Sequence, residues 1–170
     1  MSQIPEEIVD TTWGEVAGFS AGDARSEMEE AAKQQPDLLG FVFGFTQECR
    51  PEAHELAVYL YFVIYRIFQK ATRAKIRPIK ASKILRRLER NEELLVSLEK
   101  AHPLFLEKAA LTEASGQPFV VKYLVEAIVE APQGDDPVDL TEEETGTLFL
   151  VLKTVIDVLD ESRQKTEGRL

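Results

Sequence analysis

The chain has 170 residues, 44% hydrophobic and 29% charged, with a formal net charge of −10. That composition belongs to a single folded domain over 1–170 and excludes a disordered chain. The one cysteine, Cys49, excludes an internal disulfide and therefore a disulfide-stapled secreted scaffold.

The leading residues MSQIPEEIVD carry acids where a signal peptide would carry a basic region and an apolar core. A cytoplasmic protein is the expectation. Trp13, Val16 and Phe19 fall at roughly helical spacing, interrupted by Gly14 and Gly18, and predict a short or irregular leading helix. The stretch ARSEMEEAAKQQ, inside 23–35, is rich in helix formers, with Met28 almost its only large apolar side chain. It reads as a solvated helix or a flap across the surface. Pro36 suits the first turn of a second helix, where a missing N–H costs little. Leu38, Leu39, Phe41, Val42, Phe43 and Phe45 ask for burial on more than one side, and Gly40 and Gly44 predict close approach of a neighbouring backbone.

Pro51 opens a long central helix through about Thr72. Its run from Leu56 to Phe68 has thirteen residues and one charge. A membrane span needs about 20 apolar residues, so this helix belongs inside a bundle. Arg77-Pro78 closes a linker, since a residue before proline avoids helical backbone, and a fourth helix runs from about Ala81 to Ala101. Ile84, Leu88, Leu95 and Leu98 form a heptad-like seam with Asn91 in the missing place. A lone polar residue there either sets register or partner number, or caps a break in the helix. Pro103 ends this helix or begins a short one, PLFLEKAAL.

Pro118 opens a helix through about Ala131. It buries Phe119, Val120, Tyr123, Leu124, Ala127 and Ile128, and wets Lys122, Glu126 and Glu130. PQGDDPVDL is a loop. Thr141 to Glu144 form a capping box that starts the last helix. Leu148, Leu152, Val155 and Leu159 make its apolar stripe, which leaves Thr154, Asp157 and Glu161 facing solvent. No alternation of period two is long enough for a sheet. The fold class is all-α, a compact bundle of about six to seven helices.

Two segments resemble each other. Gln35-Pro36 and Gln117-Pro118 each start twelve further residues ending in glutamate, with an aromatic (Phe41, Tyr123) five residues after the proline. A longer apolar helix follows each, with Tyr59 and Phe149 at matched places. We expect a repeated helical hairpin, 35–68 and 117–158, joined by a connector at 73–112, each copy burying the other's apolar face.

Charge is uneven. Ten basic residues stand between 66 and 90: Arg66, Lys70, Arg73, Lys75, Arg77, Lys80, Lys83, Arg86, Arg87 and Arg90. Against them stands only Glu89, so the segment carries +9 and the remainder −19. These ten are the candidate site: a basic stripe binding a partner or an anion, with Lys83, Arg86, Arg87 and Arg90 facing solvent. Acids at Glu27–Glu30, Asp135-Asp136 and Glu142–Glu144 are the expected counter-charges, in the same chain or in a second copy. For nucleic acid, phosphates would suit the stripe. Yet aromatic side chains for base stacking are missing between Phe68 and Phe105, and the −19 elsewhere repels a wrapping polyanion.

Chemical motifs are few. ECRPEAHE collects Cys49, His54 and three carboxylates, but a helical metal site wants ligands three or four apart on one face, and Glu99-Lys-Ala-His102 is the only Glu-x-x-His. Cys49 with His54 would make a nucleophile and base only by accident of position. The chain lacks a Gly-rich phosphate loop, G-x-S-x-G, H-E-x-x-H and C-x-x-C. No catalytic residue, metal ligand or cofactor is assigned. The expected function is a protein-interaction or adaptor module, acidic overall and able to form a homodimer, that uses the stripe at 66–90. A nucleic-acid or anion-binding protein using the same stripe is the alternative, and a metal-dependent enzyme ranks third.

Overall fold

The computed structural model describes residues 3–101 and 116–168, and the side chains within them apart from those of 94–101 and 166–168. Seven α-helices and one 3₁₀ turn account for the described secondary structure, with no strand among these residues.

Helix α1, Glu6–Ala17, is regular rather than irregular: Gly14 sits inside it and Gly18 closes it. Helix α2, Ala21–Gln34, is capped by the Ser20 hydroxyl accepting from the Asp23 N–H at 3.1 Å. Its only buried residue is Ala31, as a flap on the surface requires. Helix α3, Pro36–Thr46, buries Leu38, Phe41 and Val42 but leaves Phe43 and Phe45 exposed, so it is packed on fewer sides than its composition suggests. Gly40 and Gly44 have open space where a side chain would stand; the close backbone approach expected there is absent.

Helix α4, Pro51–Ala71, is the buried centre, with Leu60 to Tyr65, Ile67 and Phe68 all in the core. Helix α5 runs Ala81–Ala101, α6 Pro118–Glu130 and α7 Glu142–Gly168, with a 3₁₀ turn at Ala131–Gln133 between the last two. The capping box forms as expected: the Glu144 N–H donates to the Thr141 hydroxyl and the Thr141 N–H to the Glu144 carboxylate, both at 3.0 Å. The segment 103–111, expected as a short helix, lies outside the described residues.

Helices α4 and α7 pack on each other at the centre. Helices α1 and α3 lie on α4, α5 and α6 lie on α7, and the contacts α1 with α6 and α3 with α5 close the sides. One core of apolar side chains runs through all of them, from Ile4 to Leu159. Helix α7 is therefore covered on more than one side. Val151 to Leu159 are all buried, including Lys153, Thr154 and Asp157. Solvent exposure of Thr154 and Asp157, expected from the stripe at 148/152/155/159, is wrong because α5 packs over that flank.

Gln35 and Gln117, each preceding a proline-led helix, are both buried and share backbone angles near φ −130°, ψ 70°. The Gln35 amide clasps the extended segment ahead of α5: its Nε2 donates to the Arg77 carbonyl (2.9 Å) and its Oε1 accepts from the Ile79 N–H (3.0 Å). Gln117 Oε1 accepts from the Ile4 N–H (2.7 Å) ahead of α1, and its Nε2 donates to Asp160 (2.8 Å). Each glutamine thus fastens main chain distant in sequence, just ahead of a helix, and fixes where α5 and α1 begin.

Candidate basic groove

The ten basic residues divide into three groups. Arg66 and Lys70, on the last turns of α4, face α1 and α2. Arg66 pairs with Glu15 at 2.7 Å and Glu27 at 3.2 Å, its guanidinium lies 5.3 Å from the Phe19 ring centre, and Lys70 also pairs with Glu15. These two cations hold Glu15 below the usual carboxylate range. This end of the stripe is consumed in holding α1 and α2 to α4. Arg73, Lys75 and Arg77 are exposed on the linker.

The remaining five, Lys80, Lys83, Arg86, Arg87 and Arg90, gather in one place. The start of α5 and the end of α7 enclose a groove of about 470 Å³ that these five line together with Lys165, Ser82 and Ser162. Pro78 and Ile79 complete it, on the segment that Gln35 clasps. Its one acid is Glu161, already bound to Arg87. Lys80, Lys83, Arg86, Arg90 and Lys165 have no ion pair among the described residues, which leaves the groove strongly positive in a protein of net charge −10.

Arg87 departs from the solvent-facing position expected of it. Its Nε donates to Asp157 and its Nη1 to Glu161, both at 3.2 Å, and it is only half-exposed. Beneath it the Asp157 carboxylate also accepts from Lys153 (2.7 and 2.8 Å) and from Asn91 (3.0 Å), whose amide donates to Thr154 as well. Asn91 is therefore neither a cap nor a break: α5 continues through it, and its polarity is answered from α7. Lys83 is half-buried, and burial together with the neighbouring Lys165 ammonium pushes its pKa down. Sequence reasoning missed Lys165, which lies 75 residues beyond the end of the stripe at Arg90 and belongs to no basic run.

The acids meeting the stripe differ from those expected. Of Glu27–Glu30 only Glu27 makes an ion pair with it, and Glu144 is bound to Arg50 instead, at 2.7 Å. Asp135 and Asp136 are exposed.

On its other flank, facing α3, the start of α5 borders an apolar hollow of about 270 Å³. Leu85 and Phe45, each close to half exposed, stand at its edge over Phe41 and Ile84. Asp37, in the same hollow, accepts from the Ala81 N–H (3.2 Å) and occupies one of the free donors at the start of α5.

In the ECRPEAHE region His54 Nδ1 lies 2.8 Å from the Thr46 hydroxyl and its ring stands edge-on to Phe43. Cys49 is half-buried, and burial with the nearby Glu144, Glu143 and Glu48 raises its thiol pKa, which opposes a nucleophilic thiolate. Among the described residues no three His, Cys, Asp or Glu side chains are placed to hold a metal. The Glu99 side chain and His102 lie outside them. No described helix is long and apolar enough to cross a membrane. No family model, curated protein or solved structure significantly matches this chain.

Proposed function

We propose that the protein is a protein-interaction module whose groove between α5 and α7 docks an acidic segment of a partner protein. The observation that carries this is the unpaired positive charge of the groove, set beside the exposed Leu85–Phe45 hollow on the other flank of the same helix start. Cations steer an acidic segment in and fix its register, while an apolar anchor seated by Leu85 slows its release. A groove lined without a single aromatic ring offers nothing for base stacking, which favours protein over nucleic acid.

We read the hairpins 35–68 and 117–158 as two copies of one unit, supported by the matched clasps of Gln35 and Gln117. The polar network under Arg87 has no counterpart in α4, where Val63, Ile64 and Ile67 are buried and apolar. The groove belongs to one half only.

Fluorescence anisotropy tests the proposal with a labelled 20-residue peptide of glutamates and leucines and a labelled single-stranded DNA of equal charge. The peptide binds, at least tenfold more tightly than the DNA, and loses tenfold or more with Arg86→Glu plus Arg90→Glu. Stronger binding of the DNA overturns the protein reading in favour of nucleic acid. Failure of the peptide to bind, or indifference to the double substitution, overturns the groove as the docking site. A salt-sensitive dimer in sedimentation that is lost with the same pair would make a second copy the occupant.

A further inference from the structure

We propose that the groove holds a subsite for a phosphate monoester, centred on Lys83, Lys165 and Arg87; this rests on the groove being an anion-docking surface. A carboxylate brings one charge. A phosphate monoester brings about −1.5 to −2 at pH 7 and three acceptor oxygens. Lys83 is half-withdrawn from water, and the Lys165 ammonium on the facing wall is close enough to weaken its hold on its proton further. One dianion between the two ammonium groups answers both; one carboxylate answers half of the charge.

Arg87 adds directed donors. Asp157 and Glu161 engage its Nε and Nη1, and neither takes Nη2. The carboxylate that holds it is itself fixed by Lys153 and Asn91 from within the core. A guanidinium held this way gives up little side-chain freedom when it binds, which is what makes arginine effective on phosphate. Ser82 and Ser162 bring two hydroxyls to the same walls. At about 470 Å³ the groove exceeds the needs of one phosphate, so the remainder of the ligand, whether a peptide or a small phosphorylated molecule, lies against Pro78 and outward toward Arg86 and Arg90.

Titration calorimetry on the full chain separates the sources with four probes: inorganic phosphate, AMP, the acidic peptide carrying one serine, and the same peptide with that serine phosphorylated. The phosphopeptide binds at least tenfold more tightly than its unphosphorylated form. Lys83→Met plus Lys165→Met weakens both peptides through the lost charge but brings their affinities within about twofold of each other, while Lys83→Arg retains the preference. Equal binding of the two peptides, or a preference that survives the double methionine variant, overturns the subsite and leaves the acidic-docking proposal standing. Binding of AMP or phosphate with neither peptide bound keeps the subsite and overturns protein docking. A matching thermal melt for each variant assigns any loss to the site rather than to folding.

Discussion

At the scale of single residues, Glu144 does more than its capping box requires. It accepts from the Thr141 N–H, from the Arg50 backbone N–H at 3.0 Å and from the Arg50 guanidinium, and so ties the start of α7 to the start of α4. The Arg50 side chain, followed by these backbone donors, lowers its pKa from 4.5 to about 2. Because the folded carboxyl is the stronger acid, its contribution is complete above about pH 4.5 and disappears as pH falls toward 2. Urea midpoints measured between pH 6 and pH 2 should fall over that window. Glu144→Gln should lower the pH 6 midpoint, by the equivalent of about 1–2 kcal/mol, and flatten the acid limb, apart from the share that Glu15 supplies. Capping boxes can be read from a sequence, and this one was. Arg50 as the partner could not be, since 94 residues separate it from Glu144.

At the scale of elements, prolines and pattern gave away most boundaries: Pro36, Pro51 and Pro118 each stand at the first position of a helix. Faces were harder. A stripe drawn on α7 assumes one buried side, whereas α5, α4, α6 and α3 all touch it, and an aspartate matched by lysine, arginine and asparagine can be buried there. Nothing in the local sequence distinguishes such an aspartate from an exposed one. The glutamine clasps were half legible, because the Gln-Pro repeat was visible and the role of its amide was not. Gln35→Ala leaves a buried N–H at Ile79 and the Arg77 carbonyl without their partner, a cost of about 2–3 kcal/mol. In a chain of this length that is a fall in Tm of roughly 5–10 °C. Differential scanning calorimetry checks it, and Gln35→Glu at neutral pH, which buries a carboxylate against the Arg77 carbonyl, should lower Tm at least as much.

At the scale of the molecule, the concentration of positive charge was plain from the sequence, and its division was not. Pairing depends on which helices lie against which, so only the fold separates the Arg66–Lys70 end, spent on α1 and α2, from the groove that keeps its charge available. The two should behave differently under neutralisation. Arg66→Gln removes two ion pairs and a ring contact and should cost about 1 kcal/mol. Arg86→Gln, with no described carboxylate to lose, should stay within about 0.5 kcal/mol. Thermal melts of the two variants at low and at 0.5 M salt distinguish them, with the gap narrowing as salt screens the Glu15 pairs.

The Gln35 clasp carries a last implication. It grips peptide groups, so the identity of residue 77 is irrelevant to the grip, although its side chain is exposed and its chain neighbour Pro78 lines the groove. Position 77 is thus free to drift in charge, and a lineage can retune the selectivity of this surface without disturbing the foundation on which it is built.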